Sequence, residues 1–273
     1  MLLMRSALGA AVALSFVPAT ALAQSVTTST PAIATGLAIP VGATAAPPLA
    51  SADIPSHGRF VLVDAASARL FMIENGQVVD SMKVIVGKPS TATPQIRSTI
   101  FYATLNPYWN VPVDLARTLI APHVLQSGMS YLKDRGYEVV SGFKRDAEVL
   151  PPEDVDWRAV ADGTVTVYVR QRPGAANSMG RMKFAFANDD GIFLHDTPRK
   201  ELFAQDQRDL SNGCVRLEDA PRFARWLLGR DAQASSDSPE QFLPLPGAVP
   251  IQITYLDKML PVHMAALETG ASN

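Results

Sequence analysis

From residue 58 onward the apolar side chains fall in short dense runs separated by turn residues. Arg59-Phe60-Val61-Leu62-Val63-Asp64 and Arg69-Leu70-Phe71-Met72-Ile73 are rich in β-branched and aromatic residues, the composition of strands. Glu74-Asn75-Gly76-Gln77 holds the Asn-Gly pair favoured in two-residue hairpins, because both central residues of a type I′ turn take positive φ. The pattern predicts a returning strand over 78–86 closed by Gly87, then strands at 99–105, 164–169, 182–186, 191–194 and 249–255. So many short strands with turn signals between them predict a mainly β domain, a sandwich or barrel.

The period changes between 106 and 163. Residues 114–125 and 131–136 have helical spacing, and 156–161 reads as a short helix after the Pro151-Pro152 turn. A block of that length between two strands predicts a helical lid inserted in the sheet. One more helix is expected late in the chain, with Asp219 as N-cap, Pro221 in the first turn, Phe223, Trp226 and Leu227 on its apolar side, and Gly229 as stop.

The ends read differently from the middle. Residues 1–23 have the form of a signal peptide: Arg5, a short apolar run over 7–17, then Ala21-Leu22-Ala23 before Gln24. The run is short for a bilayer span, so no stable membrane insertion is expected. Residues 24–57 are Ser, Thr, Ala and Pro with almost no charge, the composition of a disordered linker. Residues 257–273 read as a frayed tail. The folded part is thus expected over 58–256, one domain with the lid at 106–163.

Charge excludes one class of partner. Removing Arg5 with the signal leaves 23 basic side chains against 26 acidic, a net of −3. With few aromatics and no Lys/Arg cluster, this is no footprint for nucleic acid. Export changes the meaning of the chain's single cysteine, Cys214. A lone thiol in an oxidising compartment has no internal disulfide partner and is at risk of oxidation, so it is an idle thiol or a working one.

Its neighbours favour work. Cys214 sits in Ser211-Asn212-Gly213-Cys214-Val215-Arg216, nineteen residues after His195 in Phe193-Leu194-His195-Asp196-Thr197. The thiolate is the attacking species, and an imidazole nearby can take the thiol proton. His195 ends a predicted strand, a rigid platform for chemistry. Gly213 lets backbone approach a substrate, so the amides of Gly213 and Cys214 are candidate donors to an oxyanion. Arg216 can bind a carboxylate in two-pronged fashion or brace the loop. Taken alone, Cys214 reads as a core filler and His195 as a structural histidine; the combination carries the argument. No metal is expected, since one Cys and four scattered His give no ligand spacing. His57 and His263 read as solvated, and His123 as a surface or capping residue.

These residues resemble a known family. The run His195-Asp196-Thr197 … Ser211-Asn212-Gly213-Cys214-Val215-Arg216 is similar to the H-x-T … [ST]-x-G-C-[IV]-R signature of L,D-transpeptidases with the YkuD domain. Asn106-Pro107-Tyr108-Trp109-Asn110-Val111-Pro112 resembles the opening of the lid in the large Gram-negative branch. Residues 168–174 and 180–184 resemble the strands that follow it. The resemblance implies a YkuD-like β-sandwich with an α-helical lid. It implies Cys214 as nucleophile, His195 as general base and acid, Gly213 in the oxyanion hole, and Arg216, Ser211, Asn212, Trp109 and Asn110 on the substrate.

The activity implied is periplasmic acyl transfer without a cofactor. The thiolate attacks a peptidoglycan tetrapeptide between its diamino acid and terminal D-Ala, D-Ala leaves, and an amine of a second stem forms a 3–3 cross-link. Proteins attached to the wall are a further class of acceptor, and a carbapenem is an expected acylating agent. The same fold with water as acceptor would be a carboxypeptidase or hydrolase, and one with the groove alone a peptidoglycan-binding module. A redox role is disfavoured because no resolving Cys exists. Two departures from the family pattern stand out: Asn212 where many members have His, and Asp196 in place of the commoner Gly.

Overall fold

The computed structural model describes residues 54–144 and 146–256. The segments read as signal peptide and tail, and the linker up to residue 53, lie outside the described residues. The first nine-stranded sheet begins with β1 (Arg59–Asp64) and β2 (Arg69–Glu74), joined to β3 (Gln77–Gly87) through the expected Asn75-Gly76 turn. Both turn residues have positive φ, 50° and 77°, as a type I′ turn requires. β4 (Ile96–Leu105) follows.

The chain then leaves this sheet. β5 (Trp109–Val111) leads into α1 (Val113–Leu115), a π turn over Ala116–Ile120, and α2 (Ala121–Ser127), without a break. α3 (Ser130–Asp134), β6 (Tyr137–Val140), β7 (Val149–Leu150), α4 (Trp157–Asp162) and β8 (Tyr168–Gln171) complete the excursion. The four strands form a sheet of their own, in the order β5-β8-β6-β7.

This corrects the expected boundary and content of the insert. The strand foreseen at 164–169 is β8, starting at 168, and it pairs with β5 and β6 rather than with the first sheet. The inserted unit therefore runs past 163, to about 181, and is mixed α and β rather than helical. The physical reason is its core. Val111, Ile120, Val124, Leu132, Val139, Trp157, Val160 and Val169 bury one another in a cluster separate from the main one. Val167, just before β8, and Val169 within it join that cluster, and without them it would be open on one side.

The first sheet resumes with β9 (Met182–Phe186), β10 (Phe193–His195), β11 (Asp209–Ser211) and β12 (Val215–Leu217), then α5 (Ala220–Leu228) and β13 (Gln241–Thr254). Its order is β11-β3-β12-β10-β9-β4-β13-β1-β2, and β2 also pairs with β3. The layers of the mainly β fold are thus one continuous sheet closed on itself. The eleven-residue β3 makes closure possible: its first half pairs with β2 and its second half with β12 and β11. Side chains alternate, so Val61, Val63, Leu70, Met72, Val84, Ile100, Phe184, Leu194, Val215 and Ile251 meet inside.

α5 packs Phe223, Ala224, Leu227 and Leu228 into the same core, with the Phe223 ring edge-on to Phe184 at 4.8 Å. Its ends are as expected. The Asp219 side chain accepts from Arg222 N at 3.0 Å, a cap worth about 1 kcal/mol. Gly229 closes the helix in the left-handed conformation. β1 and β2 are apolar on both faces because Phe60, Leu62, Phe71 and Ile73 form a second small cluster outside, against Ile54 and Leu256. Ile54 belongs to the packed domain, so packing begins a few residues before the expected start at 58.

Candidate active site

Alternation in two short strands brings the chemistry together. β10 and β12 are parallel neighbours, with Leu194 opposite Val215 and His195 opposite Arg216. Leu194, Val215 and Leu217 point into the core. The residues next to them, His195, Arg216 and, just before β12, Cys214, therefore share the other face. That face opens on a cavity of about 430 Å³, lined by His195, Cys214 and Arg216 together with Thr197, Arg199, Ser211 and Asn212. The opposite wall comes from the insert: Trp109, Pro112, Leu115, Leu119 and Tyr137, with Met179 at its exit.

His195 is buried and oriented. Its Nδ1 lies 2.5 Å from the Asp196 carbonyl oxygen. A carbonyl only accepts, so Nδ1 carries the proton of the neutral ring and Nε2 is left as the base. Burial pulls the imidazole down to about 4, Arg216 and Lys183 add to this, and the carbonyl and carboxylate of Asp196 oppose it. The Cys214 sulfur lies 3.8 Å from the Gly191 carbonyl oxygen. Burial pushes its thiol up, which the Phe193 amide and the Arg216 charge offset only in part. Both groups therefore rest neutral near pH 7, a thiol and an imidazole lining one cavity rather than a preformed ion pair.

The loop before Cys214 is held from inside. Ser211 Oγ donates to the Cys214 carbonyl at 2.6 Å and accepts from Gly213 N at 3.1 Å. Gly213 has φ +117°, and a Cβ there would meet Ile192 Cδ1 at 3.1 Å, so the position needs glycine. Two of the expected site residues also hold the loop. Ser211 borders the cavity, but its hydroxyl is spent on the loop. The Gly213 amide, expected in the oxyanion hole, is already committed to Ser211.

The remaining candidates divide. Asn212 is exposed at the cavity rim, and Trp109 lines it. Asn110 does not. It is exposed on β5, and alternation turns it to the side opposite Trp109 and Val111. His123 is a structural residue, its Nδ1 2.7 Å from the Leu119 carbonyl and its ring stacked on Tyr131 at 4.7 Å. His57 is exposed, and His263 lies outside the described residues. Among the described residues no three His, Cys, Asp or Glu side chains gather as metal ligands, and no helix is long and apolar enough to cross a membrane.

Several residues at the site have no signature in the sequence. Thr93 is buried; its Oγ1 accepts from Gly87 N at 2.8 Å and donates to the Gly213 carbonyl at 2.7 Å. Lys200 Nζ reaches Asp196 Oδ1 at 2.8 Å and the carbonyls of Leu217 and Glu218, tying the loop after β10 to the end of β12. Asp196 Oδ2 accepts from Arg181 N at 2.9 Å, joining the exit of the insert to the residue after the histidine. A Cβ at Gly180 would come within 2.4 Å of that carboxylate. Tyr137 faces the cavity, and burial above all pushes its hydroxyl far above the usual tyrosine range, keeping it a donor. A Thr before Pro94 or a lone Tyr in a strand carries no chemical signal until folding brings it to the site.

Comparison with known proteins agrees with the motif. The YkuD family model, described as the L,D-transpeptidase catalytic domain, matches residues 58–253. A Haemophilus influenzae protein named "Putative L,D-transpeptidase" is 31% identical over 175 residues, 64% of this chain and 35% of that protein. The chain thus spans about a third of the length of the curated relative it matches. Among solved structures, a mutant L,D-transpeptidase of Enterococcus faecium is 10% identical with TM-score 0.36, covering 72% of this chain and 50% of that one. An L,D-transpeptidase of Mycobacterium smegmatis is 14% identical with TM-score 0.33, covering 71% and 58%. The chain belongs to the YkuD L,D-transpeptidase catalytic-domain family.

Proposed function

From that membership, we propose that the protein is a cysteine acyltransferase acting on peptidoglycan tetrapeptide stems in the periplasm, exported by residues 1–23 and spaced from its point of export by the linker 24–57. The observation that carries the reading is the shared face of β10 and β12, where an oriented imidazole and an accessible thiol open on one cavity beside an arginine that has no acidic partner among the described residues.

The step follows from the resting charges. As the sulfur attacks the carbonyl of the diamino acid, the thiol proton passes to His195 Nε2 and a carbon–sulfur bond forms. The developing oxyanion meets the Cys214 amide, since Ser211 holds that of Gly213. The carbon–nitrogen bond to D-Ala breaks, and His195 returns the proton to the leaving amine. An amine of a second stem then attacks the thioester, giving a 3–3 link and freeing the thiol. Water or an amine on a wall-attached protein would enter by the same route. The insert closes the cavity as a lid, which keeps water from the thioester.

Mature protein incubated with disaccharide-tetrapeptide tests this by mass spectrometry. The expected result is release of D-Ala, an acyl adduct on Cys214, and cross-linked dimer; a carbapenem should also leave an adduct on Cys214. Absence of both adducts on folded protein would overturn the reading.

A further inference from the structure

The charge of the cavity is one-sided. Two guanidinium groups, Arg216 and Arg199, line it, and no Asp or Glu does. Arg216 is half-buried and, among the described residues, has no acidic partner. Burial, and next the charge of Arg199, weaken its hold on its proton, so the two cations sense one another across the site. A cation without an acidic partner in a partly dry cavity, with a second guanidinium bordering it, favours anions.

Arg199 has a fixed base and a free head. Its backbone amide donates to Thr197 Oγ1 at 3.2 Å. The next residue is anchored by the three contacts of Lys200 to Asp196, Leu217 and Glu218. The Arg199 side chain is mostly exposed, and its one ion pair among the described residues, Nε to Glu201 at 3.3 Å, is between two exposed groups and therefore weak. Its terminal nitrogens remain free to turn to the cavity it borders.

We propose that Arg199 is a second anion-binding residue of the site, reading a side-chain carboxylate on the diamino acid of the acyl donor, while Arg216, beside the sulfur, takes the carboxylate of the residue that leaves. This rests on the acyl-transfer reading above. It makes the site selective for donors whose diamino acid carries its own carboxylate over those whose side chain ends in a bare amine. The opposite wall, Trp109, Leu115, Leu119 and Met179, is apolar and accepts the hydrocarbon part of that side chain.

The test uses a matched pair of tetrapeptide donors, with the diamino-acid carboxylate free or converted to carboxamide. Titration calorimetry on Cys214→Ala and Cys214→Ala/Arg199→Gln reads binding without turnover. Amidation should weaken binding to Cys214→Ala by about tenfold, the scale of a charge-assisted hydrogen bond, and binding to the double variant by less than about twofold. With Cys214 intact, Arg199→Gln should raise KM for the free-acid donor by about tenfold and leave kcat within about threefold, and Arg199→Lys should recover part of the loss. Equal discrimination between the two donors with and without Arg199 would overturn the assignment. Failure of both donors to release D-Ala would count against the acyl-transfer reading instead, and the calorimetric comparison would still decide the role of Arg199.

Discussion

The closed sheet and the insert face each other across one cavity and contribute opposite things. The sheet side is polar and reactive: His195 opposite Arg216 on neighbouring strands, with Cys214 just before the second. The insert side is apolar and aromatic, with Trp109 packed near Tyr137 at 6.2 Å and Tyr137 on Tyr131 at 6.0 Å. Each has its own core. They meet at a narrow neck, where Asn106 N donates to Arg181 O, the Asn177 side chain bonds the Pro107, Gln171 and Arg172 carbonyls, and Arg181 N reaches Asp196. Chemistry is thus built where hydrogen bonds between strands fix geometry. Selection is built where a separately packed body presents a surface. A change to His195 or Cys214 on the sheet should alter rate; a change to the insert's wall, like one to Arg199 on the loop after β10, should alter affinity.

The division is sharpest at Cys214, the proposed nucleophile. Cys214→Ala should lower acyl transfer by roughly 10³-fold or more with stem binding kept, measured as D-Ala release beside calorimetric affinity. Activity left intact would move the chemistry off the sheet.

Next comes the base. His195→Gln should lower kcat by about 10²- to 10⁴-fold. Because burial holds the thiol neutral, alkylation of wild-type Cys214 by iodoacetamide should climb steadily from pH 7 to 9. A flat, fast rate below pH 7 would mean a preformed thiolate.

The same histidine sets an effect on stability, with a definite sign. The folded imidazole lies at about 4 against 6.5 for the free side chain. Above pH 6.5 neither state is charged, and between 6.5 and 4 the unfolded chain binds the proton more readily. Stability should therefore fall as pH drops through that window, by on the order of 3 kcal/mol. Urea melts at pH 7 and pH 4.5 of wild type and His195→Gln measure it; the loss belonging to this site should be absent from the variant.

The smallest effects test the insert. Trp109→Ala should weaken donor binding by about tenfold with kcat within about threefold, as loss of an aromatic wall costs affinity and not chemistry. Asn110→Ala, on the far side of β5, should change neither by more than about twofold. A large kcat loss from Trp109→Ala would make the insert part of the catalytic machinery and dissolve the comparison.

What could be read from the residues followed from local rules. Asn75-Gly76 announced its hairpin because few other residues tolerate two positive φ values in succession, and Asp219 and Gly229 bounded their helix because a helix end leaves backbone groups that such residues satisfy. Cys214 and His195 stood out because few residue types can attack a carbonyl, and the glycine and arginine around the thiol narrowed the reading further. Three-dimensional packing decided the rest. Burial of Val167 and Val169 in the insert's core, rather than their β-branching, assigned β8 to the second sheet. The hydroxyl of Ser211, 3.1 Å from Gly213 N, settled which amide is already engaged. Thr93, Tyr137 and the Arg199-Lys200 pair reach the site from separate stretches of chain. Their nearness depends on sheet closure and strand register, which are properties of pairings between distant segments and leave no mark on any one of them.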